Sequence, residues 1–182
     1  MQKYLGDRAV VVEEGLCGRT IMYDDPTTPH RNGRASLPCI LQSQEPLDLV
    51  IFMLGTNDTR HIYTPCVKEI AMGMAGLVKM ARNRDSYQTG MVPKVLVVAP
   101  APIRDEITQS DFYGMYDEES VRKSRNLYEA YEAVFRDMEG VWLFNADKTA
   151  EVSVRDCIHL TKTGHDNLGK ALAKQVESIL GI

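Results

Sequence analysis

The chain has 182 residues, enough for one domain spanning residues 1–182, with 44% hydrophobic and 25% charged residues, the balance of an ordinary globular protein. This composition excludes a disordered tail, a collagenous repeat and a disulfide-stapled miniprotein. The net charge of −4 comes from 21 basic and 25 acidic residues interspersed along the chain, so no basic stripe for nucleic acid is visible.

The longest apolar run, Leu49 to Leu54, has six residues, against the roughly 20 needed to cross a bilayer, so no membrane partner is expected. Cys17, Cys39, Cys66 and Cys157 lie far apart without a CxxC pair. That argues against a zinc or disulfide framework and for reduced thiols in a cytoplasmic protein. No leader pattern, a charged stretch followed by an apolar one, is visible at the start of the sequence.

Four short runs are apolar on every side: Ala9 to Val12, Leu47 to Leu54 (closed by Gly55), Lys94 to Ala99 (closed by Pro100) and Val141 to Phe144. Such runs predict strands covered on both faces, hence a parallel sheet. Between them, apolar residues recur at helical spacing. Val67, Ile70, Ala71, Met74, Leu77, Val78 and Ala81 form one stripe; Leu127, Tyr131, Val134, Phe135 and Met138 form another. Leu168, Ala171, Leu172, Val176 and Ile179 form a third, with Thr163 expected as its N-cap. A shorter helix over 35–42 requires Pro38 to lie in its first turn. The alternation predicts an α/β doubly wound fold with right-handed crossovers. Two loops, 14–34 and 101–118, follow predicted strands, and ligands bind outside that edge of open α/β sheets.

Two short motifs fall at that edge. Asn57, in Gly55-Thr-Asn-Asp58, either caps the following helix or donates its amide N–H to a developing oxyanion. Asp156 and His159 are i and i+3, so the carboxylate can accept from one imidazole nitrogen and leave the other free as a base. The alternative is an ordinary surface pair. No His/Asp/Glu set has metal-ligand spacing, and no cofactor is implied. Arg60 and His61 read as surface residues, His165 as solvated in the first turn of the last helix, and His30 as a turn residue. Cys157 reads as packing. Phe112, Tyr113 and Tyr116 fit either a pocket wall or an oligomer contact.

In combination these motifs are far more specific. Glu13-Glu14-Gly15-Leu16-Cys17-Gly18-Arg19-Thr20, the Gly55-to-Asp58 block and Asp156-x-x-His159 resemble the SGNH (GDSL-type) hydrolases. Asp-Asp-Pro-Thr, Leu-Asp-Leu-Val-Ile, Met-Leu-Gly-Thr-Asn-Asp-Thr and Lys-Val-Leu-Val-Val-Ala-Pro are closest to the arylesterase and acyltransferase branch. The resemblance spans nearly the whole chain. It implies a flavodoxin-like sheet and a serine-type carboxylic-ester hydrolase acting on small acyl or aryl esters, with homo-oligomers expected. Gly18 would then give a backbone oxyanion donor and Asn57 a side-chain donor, with His159 the base and Asp156 its orienting acid.

The family opens with a strand, then Gly-Asp-Ser, then a helix. Here Gly6-Asp7 is followed by Arg8 and precedes the valine run, so Met1 to Leu5 reads as the end of the first helix with Gly6 as its C′ residue. The first strand and the nucleophilic serine are therefore expected to be absent from this chain. In the order 2-1-3-4-5 that strand is central. Its loss would strand unpaired groups at about 1–3 kcal/mol each on the flanks near Val11 and Ile51. Three outcomes are compatible with this: a shortened gene product (the leading expectation), closure of the two flanks onto each other, or a neighbouring chain in the gap. Cys17, beside Gly18, is a minor alternative nucleophile. The rival functions are a non-catalytic binding or assembly protein of the same fold, and a phosphate-binding module, for which no glycine-rich cradle is present.

Overall fold

A computed structural model describes all 182 residues. Three strands, β1 (Leu49–Phe52), β2 (Lys94–Ala99) and β3 (Val141–Asn145), form a parallel sheet in the order β1-β2-β3. Ile51 registers with Leu96, and Leu96 with Trp142. The helices are α1 (Gln2–Leu5), α2 (Gly33–Gln44), α3 (Val67–Ala81), α4 (Glu118–Arg125), α5 (Leu127–Phe135) and α6 (Lys162–Leu180).

β2 shows why a run that is apolar throughout becomes a central strand. Val95, Val97 and Ala99 enter one core with Ile70, Met74 and Leu77 of α3 and Tyr131 and Phe135 of α5. Leu96 and Val98 enter the opposite core with Leu168, Leu172 and Ile179 of α6. Helices thus cover both faces, as the alternation predicts. Leu5 of α1 packs on Ala173 and Val176, so the short first helix rides on α6, and Gly6 ends it at φ 59.

The sheet departs from expectation at one flank. Residues 9–12 form no strand: Val10 is 89% exposed, and no backbone–backbone hydrogen bond is made by residues 9–15. A β-branched run needs a neighbouring ladder to become a strand, and this one has none. The two flanks around Val11 and Ile51 therefore do not close onto each other, which removes that outcome. β1 is correspondingly bonded to β2 alone, and three of its four residues are only half-buried.

Two local details are also corrected. The cap of α6 is Thr161, not Thr163: its hydroxyl accepts from the Gly164 N–H at 2.9 Å. Pro38 lies inside α2 beyond the first turn. The helix survives because Asn32 caps it and Leu37 and Leu41 are buried in the core.

Candidate active site

Asn57 lies on the loop after β1, Tyr116 on the loop after β2, Asp156 and His159 just ahead of α6, and Gly18 on the segment that precedes α2. β1 ends at Phe52, and the chain turns at Gly55 into a single 3-10 turn over Asn57–Thr59. Gly55 has φ 124, and a Cβ there would lie 2.6 Å from the Tyr131 hydroxyl, so glycine alone allows this tight exit.

Asn57 does not cap a helix. Its Nδ2 donates to the Arg19 carbonyl at 2.9 Å, and its Oδ1 accepts from the Tyr116 hydroxyl at 2.8 Å. Both ends of the amide are fixed, with the second N–H of Nδ2 left unassigned. Tyr116 is buried, and burial raises its hydroxyl well above the usual phenol value, so it remains a donor.

Gly18 sits in a turn closed by the Arg19 N–H on the Leu16 carbonyl at 3.1 Å, with φ 76. The Gly18 N–H has no acceptor within the chain. The turn is tied to the Asn57 loop twice: through the Arg19 carbonyl, and through Asp58. The Ile21 N–H donates to both Asp58 oxygens at 2.9 and 3.1 Å. Asp58 is fully buried without a cation, and burial pushes its carboxyl up to about 7 against the lowering effect of backbone N–H groups.

Asp156 and His159 form the predicted contact, with Asp156 Oδ2 lying 3.1 Å from His159 Nδ1. The other carboxylate oxygen accepts from the N–H groups of Ile158 (3.0 Å) and His159 (2.9 Å). Cys157, at φ 65, bends the chain so that one carboxylate reaches both, and its thiol is buried as packing. Burial tends to raise the Asp156 carboxyl, but those N–H groups and the imidazole outweigh it and hold it below the ordinary value. The anion favours the proton on Nδ1, and Nε2 has no partner in the chain. Phe112 meets the His159 ring edge-on at 5.7 Å and Tyr116 at 6.5 Å. A continuous run of contacts thus links His159, Phe112, Tyr116 and Asn57.

The remaining candidates are dispersed. None of the eight serines places its hydroxyl on His159. Ser110 comes nearest in the bonding network, but its hydroxyl donates to the Asp156 carbonyl and accepts from the Phe112 N–H. Cys17 is exposed. His61 is exposed and paired with Asp117 at 3.0 Å. Arg60, expected at the surface, is instead mostly buried against Asp25, whose carboxylate also accepts from Thr27 and Thr28. Sequence reasoning missed the role of Tyr116, 59 residues from Asn57, and of Asp58. The aromatic cluster at 112–116 was the only signal for the former.

A model of the GDSL-like lipase/acylhydrolase family matches residues 1–166. Among solved structures, a carbohydrate acetylesterase from Sinorhizobium meliloti is 38% identical at TM-score 0.88, covering 97% of this chain and 82% of that one. The native aryl esterase of M. smegmatis is 38% identical at TM-score 0.90, with the same coverage. A second carbohydrate acetylesterase family member from Sinorhizobium meliloti is 32% identical at TM-score 0.91, covering 100% and 84%. No curated protein sequence matches. The sheet, the motif order and these likenesses agree: the chain belongs to the GDSL-like lipase/acylhydrolase family, the esterases and acylhydrolases of the SGNH fold.

Proposed function

We propose that this chain carries the oxyanion-binding and proton-transfer groups of a carboxylic-ester hydrolase for small acyl or aryl esters. The observation that carries this is the Asp156–His159 contact at 3.1 Å, which leaves Nε2 free on a ring held in place by Phe112. Nε2 would take the proton of an attacking hydroxyl and return it to the departing alcohol. The Gly18 N–H and the Asn57 amide would receive the negative charge that develops on the carbonyl oxygen. An alcohol in place of water as acceptor would make the same groups an acyltransferase.

No hydroxyl of this chain is bonded to His159, so the chain on its own is expected to give little or no covalent turnover. That same observation favours, as the second reading, a protein that binds esters without cleaving them. The test is p-nitrophenyl acetate hydrolysis by the chain and by Asn57→Ala and His159→Ala. Background rates in all three fit the proposal. Turnover abolished by both substitutions would overturn the expectation of an inert chain and support the assigned groups. Turnover indifferent to both would sink the assignment.

A further inference from the structure

The turn that carries Gly18 runs beside the chain at residues 31–33. The Thr20 N–H donates to the Arg31 carbonyl at 2.9 Å, and the Gly33 N–H donates to the Thr20 carbonyl at 3.0 Å. This pairing sets the Arg31 side chain against Gly18, which has no side chain to interpose. A Cβ at Gly18 would lie 3.4 Å from Arg31 Nε and 3.5 Å from its Cδ. That position and the Gly18 nitrogen share one tetrahedral carbon, so Nε lies within about 6 Å of the Gly18 N–H, which has no acceptor in the chain.

The Arg31 guanidinium is half-buried and holds no carboxylate. Its bond within the chain runs from Nη1 to the Pro29 carbonyl at 3.3 Å. The nearby acids of the same segment are engaged elsewhere: Glu14 accepts from Gln44, Asp24 from Asn32 and Asp25 from Arg60. The first turn of α2, which starts at Gly33, adds Arg34 and no acid. A partly desolvated guanidinium without an anion is a ready partner for a carboxylate, which it can hold through two parallel bonds.

Arg31 also lies at a definite end of the site. Contacts run from His159 through Phe112 and Tyr116 to Asn57, whose Nδ2 reaches the Arg19 carbonyl next to Gly18. The departing alcohol takes its proton from His159 and so belongs at that end. A substrate group at Arg31, beyond the oxyanion donors, belongs to the acyl part.

Resting on the ester-hydrolase reading above, we infer that Arg31 is a specificity-determining residue that selects hemi-esters of short dicarboxylic acids. The free carboxylate of the acyl part pairs with the guanidinium while the ester carbonyl lies on the Gly18 N–H and the Asn57 amide. A neutral acyl group of the same length leaves the guanidinium unpaired and gains nothing from it. Recognition alone is involved, and no chemical step is added.

The test follows the amides of the full chain by ¹H–¹⁵N NMR at neutral pH with three esters. These are monomethyl succinate, the neutral dimethyl succinate, and acetoxyacetate, whose anion sits in the alcohol part. Monomethyl succinate should shift the Gly18 and Asn57 amides saturably. It should bind about tenfold more tightly than dimethyl succinate, the gain expected of one charge-assisted pair. Arg31→Leu should remove that gain and leave dimethyl succinate binding unchanged, which also reports an intact fold. Arg31→Lys should restore part of it.

Equal affinity of the two succinate esters, with both shifting Gly18 and Asn57, would overturn the role of Arg31 and leave the ester reading standing. Silence of Gly18, Asn57 and His159 towards every ester up to its solubility limit would sink both. Acetoxyacetate binding as tightly, with the same dependence on Arg31, would move the anion to the alcohol part and overturn the acyl assignment. A monomethyl succinate response confined to other arginines would be surface charge attraction only, and would overturn it too.

Discussion

The Tyr116 hydroxyl donates to Asn57 Oδ1 across 2.8 Å, joining the loop after β2 to the turn after β1. With Nδ2 donating to the Arg19 carbonyl at 2.9 Å, the amide cannot flip without losing both bonds. The orientation of the candidate oxyanion donor is therefore set by a residue from a different loop. Tyr116→Phe removes the donor and leaves Oδ1 unpaired, and a net cost of about 1 kcal/mol is expected in urea unfolding. NMR of the Asn57 side-chain amide provides the sharper check, since its two proton shifts should move together and exchange faster in the variant. An unchanged amide would show that Tyr116 does not hold it.

Asp58 predicts an unusual pH dependence. Its folded pKa, about 7, lies above the roughly 3.9 of an unfolded Asp, so the folded state binds the extra proton between those values. The associated stability is present at low pH and is lost as pH rises through about 7. Asp156, lowered on folding, has the opposite sign, and its contribution is lost as pH falls through the acid range. The titratable groups that sense Asp58 are tyrosines (Tyr23, Tyr63, Tyr116, Tyr131), all neutral in that window. Thermal melts at pH 5 and pH 8 should show wild type losing several degrees on going to pH 8, and Asp58→Asn losing much less. Parallel profiles would refute this.

Gly55→Ala introduces a Cβ at φ 124 and 2.6 Å from the Tyr131 hydroxyl, which itself donates to the Leu54 carbonyl at 3.0 Å. Backbone strain alone should destabilise by about 1–3 kcal/mol. Adding Tyr131→Phe should recover the steric part and leave the backbone part. Chemical denaturation of the single and double variants separates the two.

Leu5 is 1% exposed between Ala173 and Val176, and truncating it opens a cavity under α1. Leu5→Ala should cost about 2–5 kcal/mol. A cost near zero in urea titration would mean that α1 is not docked on α6 in solution.

Asp156→Ala should release the His159 ring from the Nδ1–H form. In ¹⁵N spectra at pH 8 the wild-type ring should be dominated by one tautomer and the variant by a mixture. A wild-type mixture would remove the main support for His159 as an oriented base.

β2 was legible to the residue, because burial on both faces forces a run that is apolar at every position, and α3 followed from its stripe. Asp156 and His159 could be paired from spacing, since i and i+3 share one side of a turn. By contrast, the valines at 10–12 have strand propensity but no ladder, and propensity cannot supply the missing partner. Asn57 was ambiguous between cap and donor until Tyr116 and Arg19, each dozens of residues away, claimed its two ends. The buried state of Asp58 and the open edge of β1 are equally invisible in one dimension. The sequence alone determined which segments can bury themselves and which short-range pairs can meet. Which polar groups are desolvated, and which backbone edges go unpaired, depends on packing between distant segments, and only the tertiary structure decided it.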